Sequence, residues 1–385
     1  MQISSSLRNI GQSPTIEMAA KARALKAQGK PVINLGVGEP DFDTPQNIKS
    51  AAVKAIVEGK TKYTPVSGIP ELRDRIAAKL AFDNGVSYSQ EQIIVSAGAK
   101  QSITNALYAS LNPGDEVIIP APYWPSYTEQ VKFIGAVPII AQTENFVLKP
   151  GLVEEVVTPK TKMLILNSPN NPSGVVISKK DLEGIANLAV KNNFTVVSDE
   201  VYEYLTFDGL QSVSIASLDP EIYQQTITIN GVSKAYAMTG WRIGYAGAPR
   251  EMVKAMEIVQ GQMATCPTSI SQYASLEALS MTRDNPHIQA MLREYDRRRK
   301  FVVLELNKMG LPTITPQGAF YVFPNISPTG LSSVEFSNRL LEDKFVSTVP
   351  GQGFGDDCCV RISYATSFEN LAESLGRIRE FVVEL

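Results

Sequence analysis

From about residue 92 the chain alternates two patterns. Short, nearly continuous apolar runs, "QIIVSAG", "DEVIIPAP", "VPIIAQT", "KMLILNSP", "FTVVSDEVY", "TITINGVSK" and "GYAGAP", come between stretches that mix polar and apolar positions. Clear examples of the second kind are "KQSITNALYASL", "SYTEQVKFIG" and "KKDLEGIANLAVKNN". Apolar runs rich in Ile and Val, bounded by turn residues, fit strands covered on both faces, whereas the mixed stretches fit amphipathic helices. Their alternation predicts an α/β architecture with a mostly parallel, seven-stranded sheet sandwiched by helices.

Beyond about residue 280 the pattern changes. "HIQAMLREYDRRRKFVVLELNKMG" predicts one long helix, and its "RRRK" run reads as a solvated face. "AFYVFPNI", "VSTVPG" and "CVRISYAT" predict short strands, followed by a final helix capped by Ser367. At the other end, "PTIEMAAKARALKAQG" predicts a helix and "VINLGVGEPDFDTP" an extended segment. Two units are therefore expected: a large one over residues 45–280, and a smaller α+β one from residues 1–44 with 281–385.

Bulk composition narrows the function. The net charge of −3 over 385 residues gives no electrostatic reason to expect nucleic acid or an anionic membrane. Three cysteines, Cys358 and Cys359 being adjacent, suit a reducing compartment better than a disulfide framework. Neither a signal-peptide core nor a membrane-length apolar run is visible, so a cytoplasmic protein is expected. The single histidine, His287, makes a His-based metal site or a Ser-His-Asp triad improbable; it reads as a polar loop or helix-start residue, and no metal is expected.

In a doubly wound sheet, ligands sit outside the carboxyl ends of the strands. Those ends carry "SAGAK" (96–100), Tyr123 and Trp124, Asn167 with Asn170 and Asn171, Asp199 with Tyr202, and Ser233 with Lys234. "SAGAK" before a helix offers backbone N–H groups at its positive end, suited to an anion, although an ordinary tight turn would look the same. Arg242 follows eight residues after Lys234. "GVGEPD" (36–41) lacks the third glycine of a dinucleotide fingerprint and has Pro40 where a helix would open, which argues against a dehydrogenase. A lysine, an acid, a phenol, an amide, an indole and a small-residue turn on one rim suit a flat, phosphorylated, nitrogen-containing cofactor.

The ordered set "VGEPDFDTP", "KYTPVSGIPELR", "PYWPSY", "NSPNNPSG", "SDEVYEYL", "SKAYAMTGWRIGY" and "VRISYA" resembles the class I and II aminotransferases, enzymes of fold type I that use pyridoxal 5'-phosphate. It is most similar to their bacterial aspartate subgroup. The resemblance runs from about residue 30 to residue 366. It implies that Lys234 binds the cofactor covalently and later moves the substrate proton. Asp199 would pair with the ring nitrogen, Tyr202 and Asn171 would meet the ring oxygen, and Trp124 would stack on the ring. Gly98, Ala99, Lys100, Ser233 and Arg242 would hold the phosphate. Arg361 would bind the substrate α-carboxylate, with Gly38, Trp124 and Asn171 beside it. Tyr63 would reach the phosphate of a neighbouring subunit, implying a homodimer with shared sites.

If Asp199 and Tyr202 serve one ring, the chain must bend after Asp199, since residues three apart face opposite ways on a straight strand. Gly231 stands where many members of the family carry a serine, so one phosphate hydroxyl is expected to be missing. Aspartate with 2-oxoglutarate is the expected substrate pair. Aromatic, alanine or kynurenine transamination and β-lyase chemistry would keep the same cofactor residues. Prephenate-active members tend to carry a lysine where this chain has Gly11 and Gln12, which counts against prephenate; Thr15 remains as a substrate-side hydroxyl. No residue declares itself as the partner of a distal carboxylate. A non-catalytic regulator is disfavoured because no added basic DNA-binding segment is visible.

Overall fold

The computed structural model describes residues 14–385 together with Ser4, Leu7, Ile10 and Gly11; Gln12 lies outside the described residues. Its centre is a seven-stranded sheet in the order Ile93–Ser96, Gly244–Gly247, Thr226–Gly231, Thr195–Asp199, Thr161–Asn167, Glu116–Pro120 and Val137–Ala141. Only Gly244–Gly247 runs against the others; the remaining pairings are parallel. These are the seven runs that the apolar pattern marks as strands, because a sheet covered on both faces needs apolar residues at every position.

Helices cover both faces. Lys179–Asn192 shows how the sequence sets one of them. Ser178 caps it by accepting the Asp181 N–H, and Asn193 ends it in the left-handed conformation. Leu182, Ile185, Ala186 and Ala189 recur at helical spacing and are buried against Leu164, Leu166 and Val196 of the sheet. Ile185 is fully buried, so truncating it to alanine would cost about 2–5 kcal/mol. On the opposite face, Ile103, Ala106 and Leu107 of helix Ala99–Ser110 pack on Ile94, Ile229 and Ala246.

Two further small sheets lie apart from the central one, and one of them joins the N-terminal and C-terminal segments. Ile33–Asn34 pairs in parallel with Val346–Ser347, while Val360–Ser363 lies antiparallel between Val349–Pro350 and Tyr321–Val322. Ser367 caps the last helix by accepting the Asn370 N–H at 3.2 Å. His287 is exposed near the start of helix Pro286–Lys308, behind the cap residue Asn285.

The "RRRK" run departs from its expected solvated role. Arg298 and Arg299 are 6% and 1% exposed, since they continue the buried stripe of Ile288, Met291, Leu292, Tyr295, Val302 and Leu306. Arg298 Nη1 donates to both carboxylate oxygens of Asp41 at 2.9 Å, and its Nε donates to Glu294 at 2.9 Å. Arg299 donates to the Pro316 carbonyl at 2.7 Å and pairs with Asp208 and Asp296. A charge run reads as solvated only while its partners are unknown; these two are anchored by acids from distant segments.

Candidate active site

The carboxyl ends of the parallel strands open on a cleft of about 540 Å³. Its floor follows from register: Asn167 lies opposite Asp199, and Asp199 opposite Ile229 two residues before the strand ends. The chain turns immediately after Asp199, so Tyr202 swings back into the same cleft, as the bend required. Asn167 ties the floor together by donating to the Asp199 carbonyl at 3.0 Å and accepting the Asn171 N–H at 2.8 Å.

Asp199 is 5% exposed. Burial raises its pKa above the ordinary carboxylate value, against hydrogen bonds from Tyr127 and the Val201 N–H and the nearby charge of Lys234. The Tyr127 hydroxyl donates to its Oδ2 at 2.6 Å. An aspartate so enclosed is suited to meeting a cationic group of a ligand.

Lys234 follows the strand Thr226–Gly231 and is half-buried. Its ammonium donates to the Gly38 carbonyl and lies 5.7 Å from the Tyr202 ring centre. Burial first, then the guanidinium of Arg361, pull its pKa down to about 8, so a sizeable neutral fraction exists near physiological pH. Gly38 owes its place to space: a Cβ there would sit 3.0 Å from the Tyr321 hydroxyl.

Arg361 is 2% exposed and makes no ion pair among the described residues. Nη1 donates to Asn171 Oδ1 at 2.9 Å and Nη2 to the Gly36 carbonyl at 2.7 Å; Nε has no partner. Burial lowers its pKa, yet a guanidinium stays charged. A buried cation held by neutral oxygens calls for an anionic ligand. Because Asn171 gives its oxygen to Arg361, its NH₂ group remains as a donor.

A second anion position lies at the start of helix Ala99–Ser110. Gly98, with φ +88°, turns the chain from strand to helix, leaving first-turn N–H groups without intrahelical acceptors. Arg242 holds its guanidinium above this turn by donating to the Thr239 carbonyl at 2.8 Å. A Cβ at Gly98 would meet Arg242 Nη2 at 2.4 Å. Gly231 has a packing reason: it pairs with Gly244, and a Cβ there would press on Gly244 Cα and the Ile243 carbonyl at 3.1 Å. Gly244 in turn lies against Gly98 and Ala99, so the close packing of these glycines brings the turn onto the sheet.

The model of the family "Aminotransferase class I and II" matches residues 30–378. The chain belongs to the class I and II aminotransferases. It is 47% identical to a protein described as probable aspartate/prephenate aminotransferase from Rhizobium leguminosarum bv. phaseoli, over 98% of each chain. Among solved structures, aspartate aminotransferase from Thermus thermophilus with maleate superposes with a TM-score of 0.95 at 44% identity, covering 99% of both chains. An aromatic aminotransferase from Pyrococcus horikoshii OT3 gives a TM-score of 0.90 at 45% identity, covering 94% of this chain and 99% of that one.

In this aminotransferase the residues expected at the site come together, with one exception. Gly38, Ala99, Lys100, Trp124, Asn171, Asp199, Tyr202, Ser233, Lys234, Arg242 and Arg361 line the cleft, and Gly98 lies under Arg242. Tyr63 is 88% exposed and outside it. Lys100 places its ammonium 4.8 Å from the centre of the Trp124 ring, and burial followed by the charge of Arg242 lowers its pKa. Thr15 lines the cleft, whereas Gly11 faces a neighbouring one, its N–H bound to Glu129 at 2.6 Å.

Two contributors escaped the sequence reading. Tyr127, the second tyrosine of "PYWPSY", holds Asp199. Tyr321, in "AFYVFP", pairs its hydroxyl with that of Tyr202 at 2.9 Å and lies 4.5 Å from the Arg361 guanidinium. Tyr127 stands three residues after Trp124, one helical turn on, a spacing that could have flagged it; nothing local marks Tyr321. No helix among the described residues is long and apolar enough to cross a membrane.

Proposed function

We propose that this aminotransferase uses pyridoxal 5'-phosphate to exchange the amino group of aspartate with 2-oxoglutarate, by a ping-pong cycle in the cytoplasm. The observation that carries the reading is the buried, unpaired Arg361 beside a half-buried Lys234 whose pKa is pulled down to about 8. The donor set suits the cofactor. Arg242, Ser233 and the backbone of Gly98, Ala99 and Lys100 would hold its phosphate, Asp199 its ring nitrogen, Tyr202 and Asn171 its ring oxygen, and Trp124 its face. When bound, the group supplies an electron sink for the carbon that loses its proton.

The chain's own residues do the rest. Arg361 grips the substrate α-carboxylate with its planar fork, a geometry lysine lacks. Lys234, in its neutral form, takes the proton from the substrate carbon and returns it. Asn171 orients Arg361, and Tyr127 keeps Asp199 ionised. The unit formed by residues 1–44 and 281–385 would close over the one formed by 45–280 and exclude water. Tyr63, exposed in the single chain, would reach the phosphate held by a second copy in a homodimer.

Aspartate is favoured by the names of the relatives and by the cleft's charge, five cations against Glu39 and Asp199 among the described residues. The test is direct. Purified protein with the cofactor should absorb in the visible, and borohydride followed by peptide mass spectrometry should find it fixed on Lys234. A panel of amino donors and oxo acids, prephenate and aromatic amino acids included, then ranks the substrates. Protein that takes up no cofactor would refute the assignment.

A further inference from the structure

We propose that Glu200 is a positioning residue: its carboxylate clamps the turn that aims Asp199 and Tyr202 into the cleft. The inference rests on the function proposed above and deepens it. The turn has two sides. Asp199, Val201 and Tyr202 line the cleft. Glu200, Glu203 and Tyr204 point the other way, onto the end of helix Pro70–Asn84.

Glu200 is 3% exposed and is held from three separate segments. Ser198, on the strand that ends in Asp199, donates to its Oε1 at 2.9 Å. Ser214 donates to the same oxygen at 2.7 Å, and Asn84 donates to Oε2 at 2.9 Å. Asn84 also donates to Glu203 and accepts from Lys79 Nζ at 2.7 Å, while Lys79 is ion-paired with Glu203. Tyr204 adds a bond to the same helix by donating to Asp83 at 2.6 Å. Along the backbone, the Glu200 N–H donates to the Ile229 carbonyl and the Glu203 N–H to the Glu200 carbonyl, both at 2.9 Å. One residue thus joins the strand end, the turn and the helix behind it.

Stability alone does not explain the choice of residue. Burial, then the charge of Glu203, push the Glu200 pKa up to about 7, so enclosure works against its ionised form. An apolar side chain of like volume would fill the space without that cost. What a carboxylate adds is direction, because each oxygen accepts from donors that are themselves anchored. Asp199 and Tyr202 flank Glu200 in the chain, so a slack turn moves both together. A misplacement of about 1 Å in such groups costs about 100-fold in rate.

The experiment compares Glu200→Ala and Glu200→Gln with Ile185→Ala, a stability control in helix Lys179–Asn192, which does not line the cleft. Two readouts report the turn and not the fold. One is retention of the cofactor on dialysis. The other is the pH at which its visible band changes, which Asp199 and Tyr202 would set from the ring nitrogen and ring oxygen. Glu200→Ala should move that pH and weaken retention and kcat about 10–100-fold each. KM for the amino donor should stay close to wild type, since Arg361 is untouched. Glu200→Gln keeps an acceptor for both serines but not for Asn84, and should recover part of each loss. Ile185→Ala should lower the melting temperature and leave band, retention and kcat as in wild type. If Glu200→Ala behaves like that control, Glu200 only fills space and the proposal falls. Should Glu200→Ala not fold, Glu200→Gln and Asn84→Ala carry the same readouts, and unmoved values in both overturn the proposal. Wild-type protein that takes up no cofactor would overturn the reading of the site, and the Glu200 proposal with it.

Discussion

Replacing Tyr127 by phenylalanine removes one oxygen and should move a pH profile. The Tyr127 hydroxyl donates to Asp199 Oδ2 at 2.6 Å, and the only other hydrogen bond to that carboxylate among the described residues is from the Val201 N–H at 3.3 Å. Both side chains are buried, and the ring meets Trp124 edge-on with centroids 5.4 Å apart, a contact phenylalanine keeps. A hydrogen bond to a charged acceptor is worth about 1.5–3 kcal/mol, and one pKa unit corresponds to about 1.4 kcal/mol. The Asp199 pKa, already raised by burial, should therefore climb further once the hydroxyl that favours its charged form is gone. A carboxylate that must be ionised to act loses activity as pH falls through its pKa, so the acid limb moves upward. The assay is kcat/KM for the amino donor from pH 5 to 9, in Tyr127→Phe and wild type. The variant should approach wild-type rates above the shifted limb and fall increasingly below them towards acid. A uniform loss at every pH, with the limb unmoved, would show that Tyr127 only fills space and would refute the electrostatic argument.

Three other outcomes are expected. Covalent capture of pyridoxal phosphate by the apoenzyme requires the neutral amine, so its rate should rise about tenfold per pH unit below about 8 and level off above, followed by visible absorbance; Lys234→Met should abolish capture. Gly98→Ala puts a methyl into Arg242 at a φ of +88° and should cost about 1–3 kcal/mol in thermal unfolding, with weaker phosphate retention in cofactor dialysis. Arg298→Met strands Asp41 three residues after Gly38 and should cost about 2–4 kcal/mol by urea denaturation, while Arg297→Met, on the exposed side of the same helix, should cost less than about 1 kcal/mol.

Local pattern alone was enough for the sheet and for most of the residues that line the candidate site. Apolar runs announce buried strands wherever they occur, and the strand-end rule then picks out Asp199, Asn171 and Lys234 without any long-range information. The glycine at 98 and the arginine at 242 meet at one strand-to-helix turn, and the phosphate role proposed for them comes from the resemblance to the family's ordered motifs. What the sequence could not state is which distant residues meet. Tyr127 reaches Asp199 across 72 positions, Tyr321 reaches Tyr202 across 119, and Arg298 reaches Asp41 across 257. Each is a side-chain pairing chosen by the packing of separate elements, and burial decides its strength, since the same charge is cheap in water and costly in the core. The "RRRK" run shows the limit: four like charges in sequence, two of them enclosed once the helix is docked.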